Sequence, residues 1–165
     1  GDGPPSDLQD AFTLAENNLV PAARMGDAFF RRDEPALRVI VVGGDPVSLA
    51  LMKLAEAMEI EAHLVRDAGP SEGPPGISYA PEDPAIALPK LGVDPWTAVI
   101  TTTHDLERDA SAIVAALNAD ALYVGALGSR KTHGKRIERL LADGVSVATI
   151  LSRVSRHTLR LLWSK

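Results

Sequence analysis

The sequence contains no cysteine. That excludes a disulfide framework and any thiolate metal site. Aromatic residues make up only 4% of the chain, and none precedes Trp163 in its basic C-terminal segment. A nucleic-acid module pairs its basic patch with stacking aromatics, so no nucleic-acid partner is expected. No apolar run approaches the roughly 20 residues that span a bilayer, and no secretory signal is visible. Membrane association is therefore not expected, and a cytoplasmic location is. The first residue is Gly1, not Met, so a tag remnant or a piece of a longer protein is expected.

What is present is enough for one domain with a real core. The chain has 165 residues, 45% hydrophobic and 24% charged, ordinary values for a globular protein. Its net charge of −5 conceals a split. Residues 1–125 carry 8 Lys+Arg against 20 Asp+Glu, and residues 126–165 carry 9 against 2. Such an asymmetry points to an anionic ligand, and with few aromatics a small anion is the better reading.

Residues 1–36 open on the turn-rich Gly1–Pro5. They include a candidate amphipathic helix from Ser6 to Asn18 and close on a mostly polar linker from Ala28 to Pro35; the segment reads as a lead-in or a remnant of another domain. From residue 37 to 147 the pattern alternates. Leu37–Val42 reads as a strand buried on both faces, Pro46–Met58 as a helix, and Glu61–Arg66 as a second strand. Ile77–Tyr79 is a weak third strand after a Pro/Gly-rich loop, followed by a short helix from Ala85 to Leu91. Thr97–Thr102 is the fourth strand, Leu106–Asn118 a helix, Leu122–Gly125 the fifth strand, and Ser129–Ala142 a helix. Residues 148–165 read as a divergent basic tail containing His157. The alternation predicts a Rossmann-like α/β domain: a doubly wound parallel sheet of about five strands in the order 3-2-1-4-5, with helices on both faces. Ligands of such sheets bind beyond the carboxyl ends of the strands. That edge gathers Gly43–Ser48, Arg66 and Asp67, Thr103–Asp105, and Gly125–His133.

Two turns on this edge carry the chemistry. The first, Gly43-Gly44-Asp45-Pro46-Val47-Ser48, departs from the dinucleotide fingerprint G-x-G-x-x-G. Asp45 stands where the backbone must approach a pyrophosphate. It is expected to cap its own helix, with Pro46 at the first helical position, so NAD(P) binding is expected to be weak. The second turn runs from Gly125 through Gly128 and Ser129, a natural N-cap, into Arg130, Lys131, His133, Lys135 and Arg136. Cations at a helix start oppose its dipole, which an anion seated there would relieve; a solvated basic face is the alternative. Arg130 is the expected main contact, with Lys131, Lys135 and Arg136 adding steering. Between the turns, His104 is a candidate ligand contact and Asp105 a candidate cap for the next helix. His63 reads as a core or surface residue. The residues expected at the ligand are thus Gly43, Gly44, Ser48, His104, Asp105, Gly125, Gly128, Ser129 and Arg130. No catalytic residue and no metal ligand are assigned.

The ending Thr103-His104-Asp105, the motif Tyr123-Val124-Gly125-Ala126-Leu127-Gly128-Ser129-Arg130-Lys131-Thr132, and Arg136–Leu140 followed by Asp143-Gly144-Val145 resemble the C-terminal Rossmann domain of the XdhC/CoxI family. The likeness runs over roughly residues 37–147. The first turn departs from the family's usual G-A-G-H, and the second strand ends in Arg66-Asp67-Ala68 rather than an acidic residue followed by Pro-Arg. The resemblance implies an accessory factor, more chaperone than enzyme, for a molybdenum hydroxylase such as xanthine dehydrogenase. It implies a molybdopterin-type cofactor, a phosphorylated pterin dithiolene, as ligand and the apoenzyme as partner; a homodimer is one arrangement left open. Two other classes remain: a Rossmann-type NAD(P)-dependent oxidoreductase, which Asp45 argues against, and a degenerate paralogue that binds nothing.

Overall fold

The computed structural model describes residues 22–25, 28–31 and 35–155. The expected helix from Ser6 to Asn18 and His157 lie outside the described residues. The chain divides into two units, Gly1–Pro35 and Ala36–Lys165. In the first, β1 (Ala22–Met25) pairs antiparallel with β2 (Ala28–Arg31). Part of the stretch read as a polar linker is thus a strand. Its Ala-Phe-Phe core has the aromatic content that favours extended backbone, which its charged flanks obscured.

The second unit alternates strands and helices: β3 (Arg38–Val42), α1 (Pro46–Ala57), β4 (Glu61–Val65), β5 (Ser78–Ala80), α2 (Pro84–Lys90), β6 (Thr97–Thr101), α3 (Leu106–Asn118), β7 (Tyr123–Ala126), α4 (Arg130–Ala142), α5 (Val147–Arg153) and β8 (Val154–Ser155). All strand pairs of its sheet are parallel, in the order β5-β4-β3-β6-β7-β8. The first five are the predicted 3-2-1-4-5 arrangement. The sixth comes from residues read as the start of a basic tail. Val154 is buried and pairs with Val124, so the segment finishes the sheet; two residues are too short a run to give a periodicity.

The two sides of the sheet are unequal. Successive strand residues face opposite ways. On β3, Ile40 and Val42 enter a large cluster with Ala110, Ile113 and Ala116 of α3 and Leu140 of α4. Val41 enters a smaller one with Met52 of α1 and Leu64. Complete burial of a Val or Ile side chain contributes about 1.5–3 kcal/mol, so β3 anchors both layers. Carboxylates start three of the helices. Asp45, Asp83 and Asp105 accept hydrogen bonds from the first N–H groups of α1, α2 and α3.

Candidate site at the carboxyl edge of the sheet

At the carboxyl ends of β3, β4 and β6, three loops enclose a cleft of about 360 Å³. Gly43–Asp45 form one wall, Arg66–Ala68 a second, and Thr102–Asp105 with Arg108 the third. Gly43 is needed for close packing. A side-chain carbon there would collide with Thr102 Oγ1 and lie 2.6 Å from Ser48 Oγ. The Asp45 carboxylate accepts from Ser48 N at 2.8 Å, Ser48 Oγ at 2.6 Å and Thr102 Oγ1 at 3.2 Å. Ser48 Oγ lies 2.6 Å from Thr102 Oγ1. Ser48 is fully buried. It is therefore a latch between α1 and the end of β6, turned away from the cleft. Burial pushes the Asp45 carboxyl up. The hydroxyl and N–H of Ser48, then Thr102 Oγ1 and the charge of His104, outweigh this and hold it below the ordinary carboxylate value. An ionised carboxylate thus occupies the helix N-terminus where a diphosphate would sit.

On the far wall, Asp105 caps α3 through Glu107 N at 2.9 Å and Arg108 N at 3.3 Å, the role expected of it. His104 is exposed and lines the cleft. Arg108 Nε donates to Asp67 at 3.2 Å, bridging the second and third walls. Gly43, Gly44, His104 and Asp105 are thus brought together as expected.

The Gly125–Arg130 stretch is a separate feature one strand further along. Gly125 is a buried residue inside β7, with the Tyr123 ring over it, so the turn begins only after Ala126. Leu127 N bonds to Thr101 O at 2.8 Å. Ser129 caps α4, its Oγ accepting from Thr132 N at 3.1 Å. Ser129 and Arg130 are exposed. The expectation that Arg136 steers anions from the surface is corrected. Its side chain is 1% exposed and so is that of Asp109. Asp109 Oδ2 accepts from Arg136 Nε at 3.1 Å and from Nη2 at 2.5 Å. Arg136 Nη2 also donates to Leu127 O at 3.0 Å, and Thr103 Oγ1 donates to Asp109 Oδ1 at 2.8 Å. This buried pair ties the Thr102–Asp105 loop to the Leu127–Ser129 turn. The sequence held the signal, since Asp109 is one turn before Ile113 and Arg136 one turn before Leu140, each in phase with an apolar face.

Comparison with known proteins decides the family. The XdhC Rossmann domain matches residues 39–157. The chain belongs to the XdhC family. It is 31% identical over 106 residues to the molybdenum cofactor insertion chaperone PaoD of Escherichia coli, a match covering 64% of this chain and 28% of that protein. The chain thus corresponds to little more than a quarter of that relative's length. A solved structure described as a xanthine dehydrogenase from Bacillus halodurans superposes with a TM-score of 0.58 at 22% identity, over 78% of this chain and 36% of that one. A putative NAD-dependent epimerase/dehydratase from Methylobacillus flagellatus gives 0.50 at 12% identity, over 73% and 53%. At such identities both establish the shared fold alone. Among the described residues no helix is long and apolar enough to cross a membrane. The same residues hold no group of three or more His, Asp or Glu able to bind a metal ion.

Proposed function

We propose that this chain is the cofactor-holding part of a maturation factor for a molybdenum hydroxylase, and that the phosphate of a molybdopterin-type cofactor sits at the Gly128–Arg130 turn. The observation that carries the reading is a contrast between helix starts. On the carboxyl edge α1 is capped by Asp45, and α3 by Asp105 with Glu107 and Asp109 in its first turn. α4 is capped by the hydroxyl of Ser129, has no acid in its first turn and begins Arg130-Lys131. A helix N-terminus favours negative charge; at α1 and α3 the protein supplies it, and at α4 it supplies cations. The N–H groups of Gly128 and Ser129 have no acceptor among the described residues. The residues fit such a group. It carries its molybdenum on its own dithiolene, so a chain without cysteine need hold only the phosphate and the ring system. Arg130 would meet the phosphate with two parallel hydrogen bonds, and the neighbouring cleft would face the pterin. Likeness to PaoD supports the reading, with a molybdenum-hydroxylase apoenzyme as the recipient.

The test is retention. The chain is incubated anaerobically with isolated molybdenum cofactor and passed through a desalting column. Molybdenum is then measured by mass spectrometry, and pterin by fluorescence after oxidation. Both are expected to co-elute with the chain in equal amounts. Arg130→Ala should weaken retention roughly ten- to a hundredfold, the equivalent of one charge-assisted contact. Lys135→Ala, further along α4, should change it little at physiological salt. Elution of neither molybdenum nor pterin with the chain, or equal losses from the two variants, would defeat the proposal.

A further inference from the structure

We infer that the pocket beneath the Pro/Gly-rich loop of residues 67–76 binds the base of a nucleoside monophosphate, and that Arg66 holds the phosphate. This site does not depend on the molybdenum-cofactor reading. The pocket has a volume of about 270 Å³, near the lower end for small-molecule sites and suited to one heterocycle. Leu49, Leu64, Pro70 and Pro74 give it apolar walls, and the Tyr79 ring an aromatic one. The loop is fastened over that ring. Tyr79 Oη donates to Pro70 O at 2.8 Å. A side-chain carbon at Gly73 would collide with the Tyr79 side chain, and one at Gly69 would lie 2.8 Å from Arg66 Cδ. The two glycines therefore let the loop close down, which explains a composition that otherwise reads as mere turn.

Arg66 lines both this pocket and the carboxyl-edge cleft. Its side chain has no hydrogen bond or ion pair among the described residues, whereas Arg108 across the cleft is engaged with Asp67. It follows directly on β4, the second strand of the sheet order. In nucleotide-binding sheets of this topology the end of that strand reads the ribose, an acid accepting from a hydroxyl or an arginine donating to a phosphate. Orientation follows from charge. Glu72 lines the pocket, so it repels a phosphate there and accepts from an exocyclic amine of a base. The phosphate then lies on the cleft side of Arg66, toward His104. Ionised Asp45 also lines that cleft. A single phosphate beside Arg66 avoids it, whereas a diphosphate reaching the start of α1 does not.

The test is calorimetric titration of the chain with 5′-AMP, 2′-AMP, adenosine, ribose 5-phosphate and inorganic phosphate. At least one adenosine monophosphate should saturate the chain, with adenosine and both base-free phosphates each at least tenfold weaker. Arg66→Ala should cost roughly ten- to a hundredfold in affinity without lowering the melting temperature, because the side chain is exposed. Arg66→Lys should recover part of the loss. Gly44→Ala offers a second route. Its added carbon would lie 2.5 Å from Arg66 Cδ and 2.8 Å from Cζ, displacing the guanidinium and weakening binding while leaving Arg66 in place. No saturation at millimolar nucleotide, inorganic phosphate binding as well as AMP, or an unchanged affinity in Arg66→Ala would each overturn the inference.

Discussion

The Asp109–Arg136 pair should behave as a keystone whose halves cannot be removed separately. In Arg136→Met the Asp109 carboxylate, 1% exposed, keeps only the 2.8 Å bond from Thr103. In Asp109→Leu the guanidinium keeps only Leu127 O. Removing one partner of a buried pair leaves an uncompensated charge and costs about 3–5 kcal/mol. For a unit of this size that lowers the melting temperature by roughly 10–20 °C. It moves a urea midpoint by on the order of 2 M, taking a slope near the middle of the usual range. The double variant Asp109→Leu/Arg136→Met is the decisive arm. Replacing a buried pair with apolar groups of similar volume is often neutral, so the double variant should cost no more than the worse single one. Urea denaturation followed by far-ultraviolet circular dichroism gives all three values, and the cycle gives the coupling. As a control, Lys90→Ala breaks the exposed Lys90–Glu82 contact and should leave the midpoint nearly unchanged. Single variants that each cost under 1 kcal/mol, or a double variant that costs their sum, would refute the reasoning.

Further predictions concern the first turn. Gly43→Ala forces a carbon against Thr102 Oγ1 and Ser48 Oγ and should destabilise by about 1–3 kcal/mol in the same denaturation assay. Asp45 has a folded pKa below its ordinary value. Its contribution to stability should therefore be complete above about pH 4 and fade as the pH falls through the depressed folded value. Asp94, held down first by the Thr97 hydroxyl and then by Trp96 N–H, acts in the same direction. Melting curves between pH 6 and roughly pH 2 should show the gap between the parent and Asp45→Asn closing at the acid end; a constant gap would contradict the assignment. NAD and NADP should bind weakly by calorimetry. Asp45→Asn, which keeps an N-cap oxygen while removing the charge, should tighten both, and sub-micromolar binding by the parent would show that the carboxylate is no obstacle.

The fold was legible because its signals are local and repeated. Val39–Val42 is an unbroken β-branched run, and each following helix has an apolar stripe and a cap at its start. Asp45 and Asp105 read correctly as caps, since a carboxylate just before a helix has one dominant use. What could not be read depends on the third dimension. Arg136 stands among four cations in seven residues; its phase with Leu140 marks the inward face, but nothing in the spacing names a carboxylate 27 positions earlier as its partner. Ser48 looked like the last position of a phosphate-binding turn, and its engagement with Thr102 needs the β3–β6 pairing to appear. Gly125 read both as the end of the fifth strand and as the start of the turn; it lies inside β7, where its absent side chain makes room for the Tyr123 ring. β8 was missed because two residues have no period.

These corrections change what the charge asymmetry means. The C-terminal segment counts nine cations against two acids, an asymmetry that pointed to a small anionic ligand. In the fold, Arg136 is neutralised inside by Asp109. Arg139 is spent on Glu107 and Asp143, and Arg153 on Asp120. The pairs with Asp109, Glu107 and Asp120 reach back into the acidic part of the sequence, so much of the split between the two parts cancels within the structure. The exposed cations Arg130 and Lys131 open α4 beside its serine cap, and Lys135 follows one turn later. A field spread over forty residues would be screened within about 10 Å at ordinary salt. One concentrated at a single helix N-terminus adds to the dipole where both point at the same spot. The asymmetry is therefore better understood as ion pairing that holds α3 and α4 together, with a local cluster of cations at one turn, than as a surface built to attract a large polyanion.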